Sequence, residues 1–448
     1  MNDKMLDFIL QLNWSNLDCE VKEQALKCFL DLTGVICAGA KNNSSKCAAA
    51  YVSANFVGNQ SSVLASGKRS SLIGAAVANG MAANALDMDD GYSITKGHPG
   101  AGFIGALLSA ADFVDCTYGD LLTALVVGYE VSIRQGLCLQ DYYKYYHSTG
   151  CYSAMGTAAS VGKIMKLSRE QLRNALSIAD YLSPLVPVER DCSYPSMNKD
   201  GIYFGQQTGM QAVLMAKNEI TGKNPVINDE KYSSLLDSLG SKYYIMDLYF
   251  KFYSCCRWAH SGIEAVAEIM AKEIIQPENI SKISIYSYAA SGLLYRKPPK
   301  NEDEAQYNII YPIAASIIWG DCSPAESSTD RMIDSRVVEV MNKIEFKHDR
   351  EFDSVFPRKR RSRAIIQMKD GRTYTSTVHE PRGEYSRRIS VDEIVSKVTK
   401  INQLYADDKD IVMFINAVLD TRMNEPASKV IKHIKSLSSA DKSGFTFV

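Results

Sequence analysis

Segments rich in Ala, Gly and Ser, such as Ala75–Leu86 and Ala154–Gly162, constrain this 448-residue chain more than any other feature. Helices built from small residues approach one another closely and are buried on most sides, so these stretches predict a helical bundle. Asp18 stands where it can cap a helix whose stripe Val21, Ala25, Cys28, Phe29 and Leu32 recurs at spacings of three and four. Ser168-Arg169-Glu170-Gln171 is a capping box, and Leu167 and Leu172 sit where a hydrophobic staple would close over it. After about residue 265 the texture changes. Ile283, Ile285, Tyr286 and Tyr288 form a short β-like run, and Ala364–Lys369 and Arg372–Val378 flank Asp370-Gly371, a strong hairpin signal. A second capping box, Ser390-Val391-Asp392-Glu393, opens a helical tail, with Ile389 and Ile394 as its staple. The expected fold is mostly α. A discontinuous all-helical domain, 1–250 plus 390–448, carries an inserted α+β domain at 251–389.

Composition excludes several classes of function. Fifty basic and 51 acidic residues leave a formal net charge of -1, so no overall field attracts nucleic acid or anionic lipid. Eleven cysteines without a C-x-x-C pair argue against a zinc site and against a disulfide scaffold. The first residues lack the pattern of a secretory signal, and the longest apolar runs fall short of the roughly 18 residues of a membrane span. The expected location is the cytoplasm. With no glycine-rich phosphate loop or dinucleotide fingerprint, no nucleotide cofactor is expected.

Of the six histidines, three lie in polar, Gly-flanked segments of the helical half: His98, His147 and His260. Asp87-Met88-Asp89-Asp90-Gly91 leads through Ser93 and Thr95 to Lys96-Gly97-His98-Pro99-Gly100, a polar loop whose glycines let backbone approach a ligand. His147, in Tyr145–Gly150, stands just ahead of an expected helix N-terminus, where free amides stabilise an anion. Lys199 precedes another small-residue helix, and Lys251, Arg257 and His260 fall within ten positions. Such groups hold carboxylates. Singly, each has an ordinary explanation as a cap or a solvated side chain; the set carries the argument.

The motifs Ala78-Asn79-Gly80, Leu86–Asp90, His98-Pro99-Gly100, Gly128-Tyr129-Glu130, His147–Gly150, Lys199 with Gly205, Lys251 with Cys256-Arg257 and His260, and Pro381-Arg382-Gly383 follow one another in an order and spacing that resembles the MmgE/PrpD family. The resemblance covers nearly the whole chain. It implies enzymes without metal or cofactor that act on di- or tricarboxylates, namely 2-methylcitrate dehydratases, cis-aconitate decarboxylases and iminodisuccinate epimerases. It also implies a lid formed by the inserted domain, and a homodimer. Carried over residue by residue, His98 and His147 match the two active-site histidines, Asp87 the first acid of the acidic motif, and Lys199 and Lys251 the pocket lysines. The shared chemistry is a carbanion or enolate next to a carboxylate, which needs an acid/base near neutrality and cations for the developing charge. The expected catalytic set is His98, His147, Asp87 and Lys199, with Asp87 orienting one imidazole. Lys251, Arg257, His260 and Asp90 are expected to bind substrate.

Two departures bear on the reaction. Gly91 stands where decarboxylases of this kind have Thr, and Cys256 where they carry a histidine. The decarboxylase expectation loses ground, and the loop from Gly91-Tyr92 to Gly97–Ala101 also differs from the form typical of methylcitrate dehydratases, so the substrate stays open; dehydration is the first expectation, with epimerisation, decarboxylation and a catalytically silent binding protein as alternatives. Cys255-Cys256 reads as packing, the run Arg358–Arg363 as a solvated loop, and His348, His379 and His433 as surface groups.

Overall fold

The computed structural model describes residues 3–440 and 442. Helix α1 (Cys19–Gly39) starts after Asp18, whose side chain makes no capping bond, and buries the whole stripe read from the sequence. Helices α2 (Leu72–Asn84), α3 (Ala101–Ala111), α4 (Tyr118–Tyr142), α5 (Thr149–Ile164), α6 (Arg169–Leu182) and α7 (Ile202–Lys217) follow. Helices α2, α3, α5 and α7 pack on one another, and α4 lies along α5. Small residues set these distances. A Cβ at Gly105 of α3 would sit 2.5 Å from the Gly80 amide of α2, and one at Gly209 of α7 would sit 2.4 Å from the Ala154 carbonyl of α5. Ser168 forms its reciprocal box with Gln171 at the start of α6.

From α8 (Arg257–Lys272) onward the chain builds a second core. Its sheet runs in the order β4-β3-β5-β6, where β3 is Ile280–Ser287, β4 Ile344–His348, β5 Ser362–Met368 and β6 Thr373–Thr375. β3 pairs parallel with β4 and antiparallel with β5. Helix α8 lies on the sheet, and α9 (Tyr311–Trp319) packs on α8. The β5–β6 turn falls at Asp370-Gly371, with Gly371 at φ 91°. The second strand is shorter than the sequence suggests, because beyond Thr375 the chain turns Thr377 onto the Glu268 carboxylate.

The tail forms α10 (Val391–Asn402), opened by the Ser390–Glu393 capping box, then α11 (Asp408–Asp420) and α12 (Ser428–Ser439). It packs on α1, and Ile389, Ile394 and Val398 join the hydrophobic core of the first half. The fold is thus mostly helical with a small α+β part. Within the first part a two-stranded ladder, β1 (Gly91–Tyr92) against β2 (Leu248–Tyr249), ties the acidic loop to the segment that leads into Lys251.

Candidate active site

Behind α2 the chain turns through Asp87 at φ 50°, an unfavourable conformation for a side chain other than glycine or a short polar one. This turn sends three buried carboxylates to three different partners. Asp87 Oδ1 accepts from Lys251 Nζ at 2.6 Å. Asp89 Oδ2 meets His98 Nδ1 at 2.8 Å, while its other oxygen accepts from Asn84 at 2.7 Å. Asp90 takes the Tyr129 hydroxyl and the Gly100 amide.

His98 closes the loop that these acids open. A small hairpin, Tyr92 N to Gly97 O at 3.0 Å, delivers it, and its own amide donates to Thr149 Oγ1 at 3.0 Å. Its free Nε2 faces Asp200 Oδ2 at 3.5 Å and Asp87 Oδ1 at 3.7 Å. Burial opposes a charge on this ring, yet the Asp89 carboxylate and its hydrogen bond outweigh that and lift the pKa to about 9. Burial acts on Asp89 too, and the imidazolium overrides it to hold the carboxyl below its usual range. His98 is therefore a cation at neutral pH with one donor nitrogen free of the Asp89 bond.

Asp200 sits at φ 53° just before α7, and its Oδ1 accepts from the Thr149 amide at the N-terminus of α5. Burial raises its pKa, and the neighbouring His98 charge tempers the rise. Lys199 donates to the Ala85 carbonyl at 3.0 Å and to Gln306, and pairs with Asp303 at 3.1 Å. Tyr307 reaches Asp200 at 3.4 Å. Lys251, Asp303, Gln306 and Tyr307 come from the later part of the chain, so the cluster is assembled across both parts.

The sequence-read residues do not all converge in one way. Lys251 and Asp87 form a buried pair beside His98, and burial on Lys251 is outweighed by Asp87 and Asp89, which raise its pKa. The expectation that Asp87 orients an imidazole is corrected: Asp89 holds His98, and Asp87 holds Lys251. Arg257 is occupied by Glu384 at 2.9 Å and by the Arg382 carbonyl at 2.7 Å. His260 bonds to the Cys255 carbonyl at 3.1 Å, and burial followed by the Arg257 charge pushes its pKa well below the ordinary value. Both brace the segment that carries Lys251, and Asp90 braces the acidic loop from behind. His147 is fully buried at the entry to α5, its ring 4.2 Å from that of Tyr145 and close to the backbone of Leu139 and Tyr143 at the end of α4. Burial lowers its pKa.

Sequence reasoning missed Asp89, Asp200 and Arg360. Asp89 lay within the quoted motif, but which acid faces His98 depends on the turn at Asp87. Arg360 was placed in a solvated loop and is in fact buried. The alternation of buried residues in β5 extends back to it, so Lys359 and Arg361 point outward to Glu380 while Arg360 points in. Cys255 is buried and Cys256 nearly so, both as free thiols.

Donor atoms of Asp87, Asp89 and His98 lie within 4.8 Å of one another, a set with the chemistry of a divalent-cation site. The Lys251 ammonium already sits on Asp87 and the imidazolium on Asp89, so the carboxylates have their countercharges from the protein. The residues do not fit a metal.

The MmgE/PrpD N-terminal domain matches residues 3–241, and the MmgE/PrpD C-terminal domain matches residues 253–421. A cis-aconitate decarboxylase-like protein of Aspergillus oryzae is 23% identical over 470 residues, covering 96% of each chain. A cis-aconitate decarboxylase of Aspergillus terreus is 23% identical over 359 residues, covering 72% of this chain and 73% of its own. No described helix is long and apolar enough to cross a membrane. With both domains matched in order along the chain, the protein is a member of the MmgE/PrpD family.

Proposed function

We propose that this chain is a lyase that removes water from a small hydroxylated di- or tricarboxylate, working without a cofactor. One observation carries the reading: the buried His98 imidazole is oriented by Asp89 at 2.8 Å, with its Nε2 turned toward Asp200 and toward Asp87, which holds the Lys251 ammonium. Asp89 raises the pKa of His98 to about 9, while burial lowers that of His147. Such a divergence separates acid from base. His147 takes the proton from the carbon next to a carboxylate. The electron pair left there forms the double bond as the C–O bond breaks, and His98 Nε2 gives its proton to the departing hydroxyl, which leaves as water. Lys251 and Lys199 stabilise the charge that develops on the carboxylate. Residues 251–389 act as the lid, since they bring Lys251 and the partners of Lys199 to the site.

Decarboxylation is the second reading, favoured by the names of the Aspergillus relatives. There the C–C bond to a carboxylate breaks, carbon dioxide leaves, and the same His98 proton goes to the carbon. Product analysis by NMR with citrate, 2-methylcitrate, cis-aconitate and iminodisuccinate separates the possibilities. Loss of water from a hydroxy acid supports the first reading, and loss of carbon dioxide from cis-aconitate supports the second. No turnover of any of them contradicts both.

A further inference from the structure

Arg360 is 1% exposed, and its hydrogen bonds among the described residues go to Ser93 and not to a carboxylate. One terminal nitrogen donates to Ser93 Oγ at 2.9 Å and the other reaches the Ser93 carbonyl at 3.5 Å, while Nε has no partner. A buried guanidinium without a countercharge is costly to the fold, since desolvation is not repaid by pairing. Next to it lies Tyr288, fully buried, whose hydroxyl also lacks a partner. Glu384, an acid whose charge reaches Arg360, is engaged by Arg257. The Tyr249 ring has the Arg257 guanidinium 4.5 Å and the Arg360 guanidinium 5.3 Å from its centre, and its hydroxyl feels the Lys251 charge. Tyr249 is two residues before Lys251 on the strand that pairs with Gly91. Gly91 has no side chain to offer there, and a Cβ would come within 2.2 Å of the ring.

We propose that Arg360 and Tyr288 form the anchor for a substrate carboxylate remote from the reacting bond. A carboxylate placed there accepts from the fork of Arg360 and from the Tyr288 hydroxyl, satisfying donors that the protein leaves unused. Ser93 fixes the guanidinium from the acidic-loop side, so the anchor is complete only when the two parts of the chain are together. The assignment rests on the carboxylate-lyase reading above.

The test is calorimetric binding of two unreactive probes, tricarballylate and glutarate, which differ by one carboxylate. Wild-type protein binds tricarballylate more tightly. Arg360→Met weakens tricarballylate by about 30-fold, the usual worth of a charge-assisted bidentate contact, and glutarate by less than threefold. Arg360→Lys falls between. Tyr288→Phe removes one oxygen that holds nothing in the fold, and weakens tricarballylate by about fivefold without moving the melting temperature. Equal loss for both probes assigns Arg360 to the fold alone and overturns the anchor, as does unchanged binding in Arg360→Met or Tyr288→Phe. If wild-type protein binds neither probe, the carboxylate reading itself fails, a result distinct from loss of the anchor alone.

Discussion

His98 Nδ1 and Asp89 Oδ2 lie 2.8 Å apart inside the protein, and this contact fixes both the orientation and the charge of the imidazole. It leaves Nε2 as the one ring nitrogen turned toward Asp200 and Asp87. Asp89→Asn keeps the shape and removes the charge. It is expected to lower kcat by about 100-fold or more, in the range typical for loss of an acid/base orienting group. Steady-state kinetics on whichever substrate turns over checks this, and a loss below threefold would remove Asp89 from the account.

The pH dependence follows from the same pair. His98 has a folded pKa of about 9, above its ordinary value of 6.5. Its contribution to stability is therefore fully present below about pH 6.5 and is lost as pH rises through about 9. Activity that needs the imidazolium falls over the upper part of that window. In Asp89→Asn the falling limb moves to lower pH. Histidine NMR titration of wild type and variant measures it, and identical titration midpoints would contradict the assigned cause.

Lys251 and Asp87 are both fully buried and joined at 2.6 Å. Lys251→Met strands the Asp87 carboxylate and is expected to cost roughly 3–5 kcal/mol, as does Asp87→Leu for the ammonium. The double variant costs less than the sum, because it leaves no unpaired charge. Urea unfolding of the four proteins checks it. Additive losses would mean that the pair is not coupled.

Gly91 faces the Tyr249 ring so closely that an added Cβ would lie 2.2 Å from it. Gly91→Ala is expected to destabilise by about 1–3 kcal/mol through overpacking, and Gly91→Thr by more. Trimming the ring with Tyr249→Leu recovers part of the Gly91→Ala loss. Thermal melting tests the pair, and a Gly91→Ala protein as stable as wild type would show that the ring moves freely.

Much of the fold is legible from local rules, since capping at Ser168 and Ser390 and the Asp370-Gly371 turn each act within a few residues. The site is legible as a set of polar segments but not as a set of contacts. Nothing local distinguishes Asp89 from Asp87 as the partner of His98; that choice is made by the left-handed turn at Asp87 and by a lysine 164 positions away. Arg360 was concealed for a related reason. In a run of basic residues, only the register of the following strand says which one points inward.

The central claim is that His98 delivers a proton to a small carboxylate substrate. Its most direct measurement is turnover of citrate, 2-methylcitrate and cis-aconitate in deuterated water, followed by NMR for wild type and His98→Gln. The account predicts water loss from a hydroxy acid, or carbon dioxide loss with one deuterium placed on the carbon, and a fall of at least 1000-fold in His98→Gln while the protein stays folded. Turnover by His98→Gln within tenfold of wild type would contradict it.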